Sequence, residues 1–187
     1  MSQNQTHQPE KASRLEELFQ KHGFSDFRWI QPEQIVVAQW VRMKCLFGCG
    51  EYGRNASCPP HVPPVSDCER FFRDYTAAAV FHFVTAADSP QAHQEWTRKT
   101  NRELLKLERA VFLSGYQKAF LLLVEPCNLC ANCSGERGTC HNPRSARPTV
   151  EAFGMDVYAT VRNVGYPIKV LENEQEGINR YAVLMIE

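Results

Sequence analysis

The sequence lacks several features that would assign a function directly. No apolar run is long enough to span a bilayer, and the opening residues, MSQNQTHQPEK, lack the apolar stretch of an export signal. Neither sign of charge is in excess: 21 Lys and Arg stand against 21 Asp and Glu. That balance removes the electrostatic argument for nucleic acid or an anionic membrane as partner. There is no phosphate-cradling glycine loop with its lysine, no sequence-local Ser/His/Asp or paired-carboxylate set, and no internal repeat beyond a loose echo between two cysteine-rich loops. The expectation is a cytoplasmic protein with a disordered polar lead over residues 1–12 and one domain over 13–187. Its 43% hydrophobic and 22% charged residues suffice for an ordinary core.

Cysteine is not scarce. The chain has eight: Cys45, Cys49, Cys58, Cys68, Cys127, Cys130, Cys133 and Cys140. An even count permits disulfides, but disulfide frameworks belong to small exported chains with poor cores. In a reducing compartment, clustered thiols hold metal.

Hydrophobic periodicity and turn residues predict an α/β domain: a mixed sheet of about five strands in two or three layers, flanked by helices and carrying two Cys-rich metal-binding loops. Ser13 with Glu16 reads as a capping box, and Gly23 as the stop of the first helix. A strand is expected near Ile35 to Val41. From Cys45 to Pro64, the density of Cys, Gly and Pro argues against regular structure. Ser66 with Glu69 reads as a second capping box, opening a helix with Phe71, Phe72 and Tyr75 on one face. Ala77 to Val84 reads as a buried strand. Ser89-Pro90 starts a long helix with the stripe Trp96, Thr100, Leu104, Leu107 and Val111, stopped by Gly115. Ala119 to Val124 follows as a strand parallel to Ala77–Val84. Two short helices run to Gly165, with Asp156 as N-cap between them, and Ile168–Leu171 with Tyr181–Ile186 should close the chain as a hairpin. Trp29, Trp40 and Trp96 are expected in the core. Both cysteine loops are expected to follow strand ends, a usual place for sites in α/β sheets.

The second cysteine group is Cys127-x2-Cys130-x2-Cys133-x6-Cys140, with Pro143 beyond. Cysteines at steps of three wrap a loop around one centre, as a cubane iron–sulfur cluster requires, since each thiolate reaches a different iron. Zinc needs thiolates converging on one point, usually from two C-x2-C hairpins, and stays as the alternative metal. The last gap is longer than in the bacterial ferredoxin run, so a ferredoxin fold does not follow. The first group is Cys45-x3-Cys49-x8-Cys58, followed by Pro59-Pro60, with Gly48, Gly50 and Gly53 between the ligands. Three cysteines can hold a cubane with one iron left open. Cys68 could complete the set from the first turn of its helix, or it could pack in the core with Phe71, Phe72 and Tyr75. His61 and His141 lie in or beside the loops and could ligate metal or serve as ordinary loop residues. Arg42, Lys44, Arg54, Arg137, Arg144 and Arg147 flank them and either offset cluster charge or form solvated surface.

The two loops, KCLFGCGEYGRNASCPPHVPP and CNLCANCSGERGTCHNPRSARPTVEAFGMDV, resemble a bacterial and archaeal family of cysteine-rich predicted metal-binding proteins, a domain of unknown function. The resemblance implies that Cys45, Cys49, Cys58, Cys127, Cys130, Cys133 and Cys140 occupy the family's motif positions, as do Pro59, Pro60, Pro143 and Pro148, while Cys68 lies outside them. The expected function is an iron–sulfur protein with one or two 4Fe-4S clusters, in electron transfer or redox maturation with a protein redox partner. The alternatives are an enzyme using an open-site cluster and a zinc-stabilised binding module.

Overall fold

In the computed structural model, residues 7–85, 89–170 and 177–187 are described, with side chains from residue 12 onward. The elements in chain order are α1 (His7–Lys21), β1 (Phe27–Ile30), α2 (Gln39–Gly48), α3 (Val65–Arg73), β2 (Ala78–Thr85), α4 (Pro90–Leu113), β3 (Phe120–Leu122), α5 (Val157–Asn163) and β4 (Ile178–Met185), with short 3-10 turns between some of them. The sheet holds four strands in the order β1-β2-β4-β3, and every neighbouring pair is antiparallel.

Alternation along the strands places apolar side chains on both faces. Ala78, Val80, Tyr181, Val183 and Met185 meet Cys68 and Phe72 of α3 and Val161 of α5 on one side. Ala79, Phe81, Ala182 and Leu184 meet Phe19 of α1 and Leu104, Leu107 and Val111 of α4 on the other. The result is three layers, with the sheet in the middle. Phe81 is fully buried and packs edge-on to Phe19 at 5.1 Å between ring centroids. Burying a side chain of that size is worth roughly 1.5–3 kcal/mol.

Several expectations from the sequence hold. Ser89 caps α4, its Oγ accepting from Ala92 N–H at 3.2 Å. Asp156 caps α5 in the same way, through Ala159 N–H. Gly23 at φ +86° ends α1, and Phe24 N–H reaches back to Phe19 O at 2.9 Å, closing a Schellman turn. The strand over 78–85 is present. β2 and β3 do run parallel, since both are antiparallel to β4, but β4 lies between them.

Other expectations are corrected. The sheet has four antiparallel strands among the described residues, not about five in a mixed arrangement. The strand expected over Ile35–Val41 is absent; a single bridge pairs Val37 with Met155, and the chain turns into α2 at Gln39. β1 lies earlier, at Phe27–Ile30. Residues 168–170 form no strand, so the closing hairpin is not made, and Leu171 lies outside the described residues; β4 pairs with β2 and β3 instead. α1 begins at His7, which puts Ser13 inside it, and the N-cap of α3 is Pro64 rather than Ser66. The buried stripe of α4 uses Thr97, Asn101 and Glu108 in place of Thr100. Trp29 and Trp96 pack against the core, but Trp40 is exposed on α2. No helix among the described residues is long and apolar enough to cross a membrane.

Candidate metal centres

The second loop hangs from the end of β3 and is clamped at its base. Leu123 bridges to Thr149, and Leu123 N–H donates to Pro148 O at 2.8 Å. α4 grips the loop with polar side chains. Arg98 Nε donates to Asn128 O at 3.1 Å, and Asn101 Nδ2 donates to Glu125 O at 3.4 Å. Buried Glu108 accepts from both Leu121 N–H and Arg147 Nε, each at 2.8 Å. Arg147 therefore serves the scaffold, as does Arg137, which donates to Pro143 O at 2.8 Å.

Within this loop Cys127, Cys130, Cys133 and Cys140 all line one small cavity, together with His141 and Asn142. Two of the sulfurs accept hydrogen bonds: Asn142 Nδ2 donates to Cys130 Sγ at 2.9 Å, and Ala56 N–H donates to Cys133 Sγ at 3.4 Å. Burial pushes the Cys127 thiol up, and the neighbouring Cys133 and Cys140 add to that.

The first group is built differently from the expectation. Cys45 is in the last turn of helix α2 and Cys49 is its C-cap, with Cys49 N–H bonded to Cys45 O at 3.3 Å. Regular helix thus reaches into the Cys45–Pro64 stretch, and this loop follows a helix, not a strand. The i, i+4 spacing of Cys45 and Cys49 puts them one turn apart on the same side. The chain then doubles back through Gly53, at φ +70°, whose N–H bonds Pro59 O at 2.9 Å, bringing Cys58 toward the other two. Cys45, Cys49 and Cys58 line a second cavity, a cleft of about 1070 Å³. Its lining also includes Glu125 after β3, Asn179, Arg180 and Tyr181 of β4, and Trp40, Met43 and Phe47 of α2. Burial, then the charges of Glu51, Cys49, Cys45 and Cys127, push the Cys58 thiol up to about 12. Burial and the Cys49 charge push Cys45 up as well, against the pull of Arg42.

Cys68 sits apart from both groups. It is fully buried in α3 among core residues, and its thiol donates to Pro63 O at 3.5 Å. His61 is on the wall of neither cavity, while His141 is on the second group's. Arg42 is held by Pro63 O and Ala152 O at 3.1 and 2.7 Å, and Lys44 rests over the Trp40 ring at 5.2 Å. Sequence reading missed Asn55, Ala56 and Asn142. The only local signal was the Asx turn at Asn55, whose Oδ1 accepts from Ser57 N–H at 3.0 Å.

No three Cys, His, Asp or Glu side chains among the described residues are drawn to one point as a finished single-ion site; the thiols instead surround two cavities. This donor set fits a soft, thiophilic metal: thiols supply the ligands, and N–H donors stand ready to stabilise them once ionised. Fold and site define a cysteine-rich α/β protein with the chemistry of metal binding. The chain belongs to the family described as predicted metal-binding protein (DUF2284), whose model matches residues 28–186. No curated protein and no solved structure matches it.

Proposed function

We propose that Cys127, Cys130, Cys133 and Cys140 hold a 4Fe-4S cluster, that Cys45, Cys49 and Cys58 hold a second with its fourth position open, and that the protein works in electron transfer or redox maturation. The observation that carries this reading is the second group: four thiols around one cavity, two of them accepting N–H bonds. A cubane takes each thiolate to a different iron and is tuned by N–H donors to its sulfurs, whereas zinc takes its four on one point. Such a cluster supplies one-electron chemistry. A protein partner is supported by the apolar surface of α2 beside Cys49, where Phe47 is 82% exposed and Trp40, Met43 and Leu46 lie open around it.

A second reading has one specific observation in its favour. The first group lines a cleft of about 1070 Å³, room enough for an organic substrate. The open position would then face that substrate, and the protein would be an enzyme.

Anaerobic purification followed by iron, acid-labile sulfide and zinc analysis tests the iron–sulfur reading. The expected result is a brown protein containing iron and sulfide in equal amounts, bleached by air. Stoichiometric zinc without sulfide, and spectra unchanged by air, would establish a structural zinc module instead.

A further inference from the structure

We propose that the two cysteine groups form one bipartite centre joined by the strap Asn55–Cys58, so that metal held by either group raises the affinity of the other. The inference rests on both groups being metal sites, as proposed above, but not on which metal they hold.

The strap belongs to the first loop by sequence, yet Asn55, Ala56 and Ser57 are buried against the second loop and form part of the wall of its cavity. Its end, Cys58, lines the other cavity. Two hydrogen bonds fix it across the boundary. Asn55 Nδ2 donates to Cys127 O at 2.9 Å, and Ala56 N–H donates to Cys133 Sγ at 3.4 Å. Gly135 of the second loop, at φ +83°, backs onto the strap's approach, where an added Cβ would stand 3.8 Å from Arg54 O. Internal bonds set the strap's shape: Asn55 Oδ1 accepts from Ser57 N–H, and Asn55 O accepts from Cys58 N–H, both at 3.0 Å. One residue, Asn55, therefore touches both groups, its backbone carbonyl accepting from Cys58 N–H and its side-chain amide donating to Cys127 O.

Coupling follows from this geometry. Metal on the second group holds Cys133 as a thiolate, a stronger acceptor for Ala56 N–H than a thiol. The strap is then ordered, and Cys58 is already in place when the first group loads. The ordering entropy is met once instead of twice. The same coupling free energy must appear in the reverse direction.

Cobalt(II) is the probe, because its thiolate bands report each site without iron or sulfide. A failed iron–sulfur reading therefore leaves this test intact. In anaerobic titrations Cys49→Ala isolates the second group and Cys130→Ala isolates the first. Each isolated group should bind cobalt more weakly than the same group does in the wild type with its partner already loaded, and by the same factor, about 5- to 150-fold. Asn55→Ala keeps all the thiols of both groups but removes the side-chain bonds to Cys127 O and Ser57 N–H, and should shrink the enhancement of each group by the other. A second measurement does not depend on that variant folding: in Cys49→Ala, cobalt on the second group should slow amide exchange at Ala56 and Cys58. Wild-type affinities in the single-group variants, unequal losses, or strap exchange unchanged by cobalt would each overturn the coupling. Uptake of fewer than two cobalt equivalents by the wild type would overturn the two-site reading and the coupling with it.

Discussion

Cys68 and Cys130 carry the same thiol, and their surroundings give them opposite roles. Cys68 is 0% exposed beside Phe72 and Tyr75. Its proximity to the first group in sequence does not bring it to either cavity. Cys68→Ser should keep full metal content and lose about 1–2 kcal/mol of stability, the cost of placing a hydroxyl in an apolar site. Metal analysis beside a denaturant titration checks this, and loss of one centre would make Cys68 a ligand. Cys130→Ala should empty the second group while the first still loads, and it should lower the thermal midpoint of the metal-loaded protein, because the ligands also pin the loop. Full occupancy and an unchanged midpoint would remove Cys130 from the ligand set. At this scale the sequence was readable where residue type and spacing alone are diagnostic. The cysteine steps stand out in any register. Asn55 and Asn142 do not: an asparagine in a polar loop looks the same whether it faces water, the Cys127 carbonyl or the Cys130 sulfur until the fold sets the distance.

Elements were legible wherever a side chain punctuates the backbone. Ser89-Pro90, Asp156 and Gly23 marked helix ends correctly because capping and left-handed turns are local physics. α2 carries no such mark: its N-cap is Ala38, with no side-chain bond, and the preceding β-branched run suggests strand. There the surroundings outweighed local preference. The polar stripe of α4 was hidden for a related reason. A periodicity count looks for apolar residues, whereas Asn101 and Glu108 are buried because they meet backbone groups of β3 and the second loop. Glu108→Ala would leave Leu121 N–H and the Arg147 Nε–H without their acceptor and should cost about 3 kcal/mol or more. Glu108→Gln should cost less, since its amide oxygen can still accept from Leu121 N–H. Chemical denaturation of the two variants checks the order. The alanine variant should also lose metal from the second group faster to a chelator than the wild type.

For the whole molecule, strand direction was legible but strand neighbours were not. The helical crossover from β2 to β3 implies parallel strands, and they are parallel; nothing local says that a later strand will come between them. That placement puts β4 in the sheet's interior beside β2, although it is the last described strand in the chain. β3 pairs with β4 and with no other strand. A chain ending at residue 170 should therefore keep only the β1–β2 pair, unfold without a cooperative transition and bind a dye for exposed apolar surface. A sharp thermal transition in that fragment would contradict the central role of β4. During synthesis on the ribosome, both thiol-bearing loops emerge before the strand that completes the sheet beneath them. For that interval the cysteines are nascent chain, open to oxidants and stray metal ions, and the cleft that Cys45, Cys49 and Cys58 share with Asn179, Arg180 and Tyr181 exists only once β4 has joined the sheet.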